Sequence, residues 1–224
     1  MTIDVGTNGC ESGTATILMV RYRQPELEQR AIEAVRKYTD LKRHHLVVVD
    51  NGRMDMNLGA LWNRMIARTK TEFICLLNTD TQVTENWLEG LIEGVRITGA
   101  DAAGPKSDHC GNKLQDSRSK TYGTYQETVQ LSGFCLLIRR SSWKKYGGFR
   151  EDFGFYGQET NLMDRVPRKV ICTKVFVHHD GQGSFPKERD WNEERKYGAE
   201  VYRRNRAFDW KLRLAVLGTG PGNP

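Results

Sequence analysis

Long apolar runs are missing from this sequence of 224 residues. No stretch approaches the roughly 18 apolar residues that a membrane-spanning helix needs, so the sequence does not predict a transmembrane helix. Residues 1–14 are polar and contain glycine, and they lack the apolar core of a secretory signal peptide. We therefore expect a protein without a membrane anchor that is located in the cytoplasm.

Closely spaced cysteine pairs are also absent. The five cysteines lie far apart and form no CxxC motif, which argues against a zinc knot and against a disulfide framework. Cys75 and Cys135 lie within apolar runs, so we expect both to be small buried hydrophobic residues.

The excess of positive charge is moderate. Lys and Arg number 34 against 28 Asp and Glu, which gives a formal net charge of +6. This balance favours contact with a nucleic acid, an anionic membrane or a phosphate-bearing ligand, and it equally fits an ordinary basic surface. The length predicts one domain with a sizeable core, alone or with an appendage.

Strand and helix patterns alternate along the first hundred residues. Apolar runs at 15–22, 46–49 and 73–77 predict buried strands, and amphipathic spacing predicts helices at 25–38, 58–67 and 87–95. This alternation indicates a parallel sheet with right-handed crossovers.

The pattern changes after Gly99. Further strands are predicted at 100–104, 129–139 and 170–177, short helices at 141–146 and 160–166, and a longer helix at 190–215. The polar segment 106–126 predicts a long loop, a class of segment that often forms a lid. Gly133 lies inside a predicted strand and indicates close approach of another backbone or of a ligand.

Acidic residues follow two of the predicted strands. Asp50 ends the run LVVVDNG, and Asp80 follows the run FICLLNTDT. Ligands of open α/β sheets bind outside the carboxyl ends of the strands. Asp80, with the amide and hydroxyls around it, could bind Mg²⁺ or Mn²⁺ that is shared with substrate phosphates. Asp50 could accept hydrogen bonds from a base or a ribose. A turn at Asp50 and a helix cap at Asp80 are the structural alternatives.

An acid and two histidines complete the pattern. Glu159 lies among aromatic residues in FYGQETN, and a carboxyl group in a partly apolar pocket can act as a general base. His178 and His179 end the last predicted strand, and imidazole is a good metal ligand. An exposed glutamate at a helix start and structural histidines are the alternatives. The order along the chain indicates one cleft that collects Asp50, Asp80, Gly133, Glu159 and His179.

This order of motifs resembles the GT-A fold of the family 2 glycosyltransferases over about Ala15 to Phe185. The segment VVVDNG is similar to the family's nucleoside-binding segment, and LGALWNRMIARTKTEFICLLNTDTQV is similar to the approach to its DxD motif. The resemblance implies Asp80 as a metal ligand. It also implies donor contacts from a set of six residues: Asp50, Asn51, Asn63, Arg64, Asn78 and Thr79.

The second half carries the remaining motifs. The family's acceptor-side strand and its GGF turn are resembled by VQLSGFCLLIRRSSWKKYGGFREDF. Its acidic motif is resembled by YGQETNLMDR, and its late histidine motif by VHHDGQGSF. These similarities imply that Glu159 is the catalytic base and that His179 is a metal ligand. They imply acceptor contacts from Gly133, Tyr156, Gly157 and Arg165. Amides stand at positions 78, 158 and 161, where acids are common in the family.

The resemblance implies an α/β fold with a Rossmann-like, mostly parallel sheet flanked by helices. The GT-A domain would span 15–185, with a nucleotide-binding half at about 15–99 and an acceptor half at about 100–185. A basic helical appendage at 186–217 and flexible ends at 1–14 and 218–224 would complete the chain. The implied reaction is an inverting, Mn²⁺- or Mg²⁺-dependent sugar transfer from a nucleotide sugar, with a UDP-sugar favoured.

The acceptor stays open at this point. Glycans and lipid-linked saccharides are the family's common acceptors. Because segment 201–213 is rich in arginine, a hydroxylated base in DNA stays an alternative acceptor. Peripheral contact with an anionic membrane also stays an alternative. The oligomeric state is also open.

Two other classes remain as alternatives. One is a nucleotidyltransferase, which usually has a glycine-rich loop after its first strand, whereas RYRQPE contains no glycine. The other is a degenerate nucleotide-sugar-binding module, against which the joint presence of Asp50, Asp80, Glu159 and His179 argues.

Overall fold

Strands and helices alternate along the chain in a computed structural model that describes residues 2–4, 14–52, 54, 56–181 and 190–217. The strands are β1 Thr2–Asp4, β2 Ala15–Arg21, β3 His44–Asp50, β4 Phe73–Leu77, β5 Thr81–Val83, β6 Ala102–Lys106, β7 Tyr125–Glu127, β8 Cys135–Arg139 and β9 Lys169–His179. The helices are α1 Pro25–Tyr38, α2 Leu58–Ala67, α3 Trp87–Thr98, α4 Arg140–Lys145, α5 Gln158–Arg165 and α6 Trp191–Leu217.

The strands form one mixed sheet in the order β1-β3-β2-β4-β8-β6-β9-β5, with β7 also paired to β9. β3, β2 and β4 are parallel neighbours, and β6 and β9 run in the same direction as they do. β8 lies antiparallel between β4 and β6. The predicted Rossmann-like sheet is therefore confirmed, and the short strands β1, β5 and β7 are additions that the sequence did not predict.

Helices cover both faces of the sheet because strand side chains alternate between the faces. On β2, Ile17 belongs to a core that also contains Leu91 of α3, whereas the next residue, Leu18, belongs to a second core with Ile66 of α2. Each of these side chains is at most 1% exposed, and burying one such side chain contributes about 1.5–3 kcal/mol. This layering leaves the carboxyl ends of the parallel strands together at one edge.

The predicted strand 129–139 is wrong in its first half. β8 begins at Cys135, while Val129 is 82% exposed and Gly133 and Phe134 form a turn. The carbonyl oxygen of Phe134 accepts a hydrogen bond of 2.8 Å from the backbone N–H of Asn78. The segment before β8 therefore lies at the end of β4 instead of extending the sheet.

The loop between β6 and β7 has hydrogen bonds of its own. The backbone N–H of Ser107 donates to Gln115 at 2.8 Å, and that of Ser117 donates to Ser107 at 2.7 Å. Nζ of Lys106 donates to the carbonyl oxygen of Leu114 at 2.8 Å. Residues 107–124, called the β6–β7 loop below, therefore form a structured segment where the sequence predicted a long loop.

Helix α6 packs against the segment that precedes α5. The carboxylate of Glu194 accepts a hydrogen bond of 3.1 Å from the backbone N–H of Phe155, and the hydroxyl of Tyr197 donates to the carbonyl oxygen of Asp152 at 3.0 Å. The helix that the sequence predicted as an appendage is thus attached to the domain by contacts with its backbone.

Some predictions fall on residues beyond the described part. The ends 1–14 and 218–224 lie outside it except for β1 and Thr14. Residues 182–189, which include the last four residues of the histidine motif, lie outside it as well. The four cysteines within the described residues are unpaired, and Cys75 and Cys135 are buried as predicted. Among the described residues, no helix combines the length and the apolarity that crossing a membrane requires.

Gly94 gives a test of the contact between α3 and β9. A Cβ at this position would lie 2.4 Å from Sγ of Cys172 and 3.1 Å from Cε1 of Tyr125. Replacing glycine by alanine inside a helix usually stabilises by up to about 1 kcal/mol, but overpacking a core costs about 1–3 kcal/mol. We expect Gly94→Ala to lower the free energy of unfolding by about 1 kcal/mol or more, measured by urea denaturation.

The matched control is the double variant Gly94→Ala/Cys172→Ala, in which removal of Sγ makes room for the new methyl group. We expect its loss of stability to be smaller than the sum of the two single losses. Strictly additive losses would show that the two positions are not in steric contact.

Candidate active site

A cavity of about 1140 Å³ opens where β4, β6 and β9 end and β8 begins. Its volume exceeds the roughly 300–1,000 Å³ of typical small-ligand sites, so it has room for more than one small ligand. Of the residues predicted for the site, six line it: Asn78, Asp80, Gly133, Tyr156, Glu159 and His179. The predicted edge of the sheet is thus where the cavity lies.

Strand pairing brings Asp80 and His179 together. β5 begins directly after Asp80 and pairs antiparallel with the end of β9, so that Thr81 lies opposite His179. Oδ2 of Asp80 lies 3.4 Å from Nε2 of His179, and their side chains are 0% and 13% exposed. A carboxylate and an imidazole are therefore held side by side in the wall of the cavity.

The orientation of His179 is fixed from its other side. Nδ1 of His179 lies 2.6 Å from the carbonyl oxygen of His109, and its ring stacks on Phe134 with centroids 4.8 Å apart. Because a carbonyl oxygen only accepts, Nδ1 carries a proton and Nε2 is directed to Asp80. Burial lowers the pKa of His179, but the hydrogen bond and charge of Asp80 outweigh burial and raise it.

The donor atoms at this position suit a divalent cation. No group of three or more His, Cys, Asp or Glu side chains is arranged for a metal ion within the described residues. The candidate ligands in this wall of the cavity are the side chains of Asp80 and His179 and the amide of Asn78. Carboxylate, amide and imidazole ligands are compatible with Mn²⁺. A cation that shares its other positions with phosphates and water needs few protein ligands. The residues therefore fit a cation that is held jointly with a diphosphate.

Glu159 lies in the first turn of α5, directly against Gly133. A Cβ on Gly133 would lie 2.6 Å from Cγ and 2.9 Å from Cδ of Glu159, so a larger residue at 133 would displace the carboxyl group. Burial raises the pKa of Glu159, although its backbone hydrogen bond lowers it. The close approach that the sequence indicated at Gly133 is thus made by a side chain of the protein.

The turn before α5 directs two residues into the cavity. Gly157 precedes α5 with φ of 101°, a left-handed conformation that favours glycine. Tyr156 and Glu159 on either side of this turn both line the cavity, whereas Gly157 itself does not. Gly157 therefore shapes the site through the backbone.

Arg165 lies behind the site and does not line the cavity. Its buried guanidinium donates to the carbonyl oxygens of Tyr146 and Gly148, the latter at 2.8 Å, and to Oδ1 of Asn161 at 3.0 Å. The structure therefore does not support the predicted acceptor contact by this side chain. Arg165 instead connects α5 to the turn that follows α4.

Asp50 and Asn51 form the turn that follows β3, outside the cavity lining. The carboxylate of Asp50 lies 3.1 Å from Arg21 and accepts the backbone N–H of Gly52 at 3.0 Å. The buried amide of Asn51 binds both the N–H and the carbonyl oxygen of Met56, at 2.9 and 3.0 Å. The turn alternative for this motif is thus observed. The Asp50 side chain remains 21% exposed and can accept a further hydrogen bond.

The other predicted donor contacts also lie outside the lining. Asn63 exchanges hydrogen bonds of 2.7 and 2.9 Å with the backbone of Phe149, which connects α2 to the turn after α4. Arg64 is exposed on α2. Thr79 is buried, and its hydroxyl has no hydrogen-bond partner among the described residues. The geometry therefore gives Asn63 a supporting place behind the cavity.

The sequence predicted the β6–β7 segment as a long loop that often forms a lid, but it did not indicate which of its residues line the cavity. Asp108 accepts a hydrogen bond of 2.9 Å from the backbone N–H of His179 and lies 3.0 Å from Nδ1 of His178. Burial raises the pKa of Asp108, but these hydrogen bonds outweigh it and lower the pKa to about 2. The loop is thus attached to the end of β9, and its predicted length was the signal available in the sequence.

A strand-end cavity that combines an acid-histidine pair with a separate, partly buried carboxyl group defines a ligand-binding α/β domain. The sequence model of glycosyl transferase family 2 matches residues 28–153, which is more than half of the chain. The chain therefore belongs to glycosyl transferase family 2. A comparison with curated protein sequences finds no match.

Solved glycosyltransferase structures share the fold. One is GalNAc-T7 with UDP, GalNAc and Mn²⁺, with a TM-score of 0.61 and 12% identity over 75% of this chain and 44% of that chain. A second is S. aureus TarS 1–349 with UDP-GlcNAc, with a TM-score of 0.59 and 12% identity over 87% and 73%.

A third is the mannosyltransferase PcManGT from Pyrobaculum calidifontis with GDP-Man and Mn²⁺, with a TM-score of 0.59 and 13% identity over 94% and 66% of the two chains. At these identities the likeness establishes the GT-A fold. The chain spans less than half the length of the GalNAc-T7 chain.

Burial of Glu159 leads to a prediction about stability. Its pKa in the folded protein is raised above the unfolded value of about 4.3, so the folded state binds more protons in this range and loses stability as the pH rises through the raised pKa. Glu159→Gln removes this ionisation. We expect the variant to have a higher Tm than the wild type at about pH 8 and a similar Tm below about pH 4.

Thermal unfolding at several pH values measures this difference. Glu127→Gln, at an exposed position on β7, is the matched control and should leave the Tm nearly unchanged throughout. A wild-type protein that is more stable than Glu159→Gln at about pH 8 would contradict the stated cost of ionising this partly buried group.

Proposed function

We propose that this protein is an inverting, metal-dependent glycosyltransferase that moves a sugar from a nucleotide-sugar donor to an acceptor hydroxyl. The observation that carries the proposal is the presence, in one cavity, of the Asp80–His179 pair and of Glu159 packed on Gly133. Membership of glycosyl transferase family 2 supports it. The solved neighbours support it as well, because they contain UDP, UDP-GlcNAc, GDP-Man or Mn²⁺.

In this proposal the donor lies along the edge of the sheet from β3 to β4. Asp50 and Asn51 hold the nucleoside, with the exposed part of Asp50 accepting a hydrogen bond from it. Asn78 and the buried hydroxyl of Thr79 lie next to the diphosphate. A UDP-sugar is the favoured donor, and the transferred group is a hexose.

Asp80 and His179 hold Mn²⁺ or Mg²⁺ in this proposal. The bound cation supplies positive charge that offsets the charge developing on the leaving diphosphate. The β6–β7 loop, whose Asp108 is bonded to His179 and His178, covers the donor and excludes water from it.

Glu159 acts as the general base. Its carboxylate takes the proton of the acceptor hydroxyl as the hydroxyl oxygen forms a bond to the anomeric carbon, and the bond from that carbon to the diphosphate oxygen breaks. A single displacement of this kind inverts the anomeric configuration. The raised pKa of Glu159 suits this role because a base is most effective when its pKa approaches the working pH. Gly133, Gly157, Asn63 and Arg165 act by positioning α5 and the turn after α4.

Glu159→Gln tests the assignment of the base. The amide keeps the shape of the side chain but takes no proton, so we expect turnover to fall by about 10²–10⁴-fold while donor affinity stays the same. Turnover is measured as release of nucleoside diphosphate. Donor affinity comes from thermal shifts with a panel of nucleoside diphosphates and nucleotide sugars, with and without Mn²⁺.

The same assays separate the alternatives for this reaction. Wild-type turnover in Glu159→Gln would refute the role of Glu159 as base. Release of pyrophosphate instead of nucleoside diphosphate would favour a nucleotidyltransferase. Donor binding without release of either product would favour a binding module.

Asp80→Ala tests the metal-holding pair. We expect loss of the part of donor binding that depends on Mn²⁺, since the buried carboxylate is the principal anionic ligand for the cation. The measurement is the Mn²⁺-dependent thermal shift with UDP. Glu85→Ala, at an exposed position after β5, should keep that shift, and an unchanged shift in Asp80→Ala would remove Asp80 from the metal site.

A further inference from the structure

The first turn of α6 contributes an aromatic wall to the cavity. Trp191 lines the cavity beside Tyr156, and the two rings meet edge to face with centroids 5.3 Å apart and an angle of 78°. Tyr156 lies three residues before Glu159 in the chain. A ligand that contacts this aromatic pair therefore lies close to the carboxyl group of Glu159.

Backbone contacts fix the aromatic wall in place. A Cβ on Gly198 of α6 would lie 2.5 Å from the carbonyl oxygen of Tyr156, and one on Gly154 would lie 2.4 Å from Oε2 of Glu194. Glu194 also accepts the hydrogen bond from the backbone N–H of Phe155. The approach at Gly198 is to backbone and requires glycine, whereas the approach at Gly154 is to the end of the Glu194 side chain. Helix α6 therefore packs closely on the segment before α5.

The charge of the cavity is opposite in sign to that of the chain. The described residues that line it include five acids, Asp80, Asp108, Asp116, Glu159 and Asp180, and two permanent cations, Lys113 and Arg118. With histidines neutral, five negative and two positive groups give a formal charge of −3, against +6 for the whole chain. The proposed donor brings a bound cation that offsets this charge at its diphosphate, whereas a phosphodiester backbone without such a cation would meet repulsion in the cavity.

The two cations of the lining lie on one segment, which does not contribute to the aromatic wall. Lys113 and Arg118 belong to the β6–β7 loop, and Arg118 is paired with Asp116 at 2.6 Å. Arg195 packs on the ring of Tyr156 at 5.9 Å but does not line the cavity. The described lining also offers uncharged polar side chains, among them Gln130, Ser132 and Thr160, of which Thr160 directly follows Glu159 in α5.

We propose that Tyr156 and Trp191 form an acceptor subsite for an uncharged sugar ring. The apolar C–H face of a sugar packs on an aromatic face, and its hydroxyl groups find neutral hydrogen-bond partners in Gln130, Ser132 and Thr160. This inference rests on the proposed function, because it places the acceptor hydroxyl at Glu159. It names a neutral glycan, and not DNA, as the acceptor.

Trp191→Ala tests the subsite. The probes are methyl glycosides of neutral hexoses and a single-stranded DNA oligonucleotide, each added to the protein with Mn²⁺ and a panel of UDP-sugars and GDP-sugars. We expect a neutral glycoside to accelerate release of nucleoside diphosphate above the rate without acceptor. In Trp191→Ala we expect the KM for that glycoside to rise by about tenfold, which corresponds to a side-chain contact of ordinary strength.

Donor affinity should not change in Trp191→Ala, which separates acceptor binding from donor binding. Lys196→Ala, at an exposed position of the same helix, should behave as the wild type. If the oligonucleotide accelerates release of nucleoside diphosphate and no glycoside does, the proposed sugar subsite is wrong while the proposed transferase activity stands. An unchanged acceptor KM in Trp191→Ala would do the same, whereas failure to bind any donor would overturn both proposals.

Discussion

The register between β5 and the end of β9 is the constraint on which the site depends. It places Thr81 opposite His179, and so brings together two residues that are almost a hundred positions apart in the chain. The buried carboxylate of Asp80 then lies beside an imidazole whose other nitrogen is bonded to the loop carbonyl of His109. A shift of one residue would turn alternate side chains to the opposite face and separate the pair.

A second constraint connects this edge of the sheet to α5. The hydrogen bond from Asn78 to Phe134 holds the start of β8 against the end of β4, and Gly133, one residue earlier, packs on Glu159. The contacts of Gly198 and Glu194 on α6 hold the segment that directly precedes α5. Glu159 is thus positioned from both sides by backbone, which limits its movement in a cavity large enough to admit water.

Sequence reasoning predicted the elements whose signals are local. The bounds of α2 agree with the prediction because apolar residues recur at helical spacing along it. Those of β4 agree because a continuous apolar run marks it. Of the five residues that the sequence placed in one cleft, Asp80, Gly133, Glu159 and His179 line one cavity, whereas Asp50 lies outside its lining. β5 was missed because three residues carry too little pattern, and the role of Trp191 was missed because it depends on packing between α6 and the turn before α5.

The charges show why composition is a poor guide to the substrate. The net charge of +6 kept nucleic acid open as a partner, yet the described lining of the cavity is acidic. Part of the excess lies elsewhere, as on Arg203 and Arg204, which are exposed on α6 and do not line the cavity. Net charge acts on association over the whole surface, whereas binding inside the cavity depends on the few groups that line it. The basic surface therefore affects which molecules approach the protein, and the acidic cavity affects which of them reach Glu159.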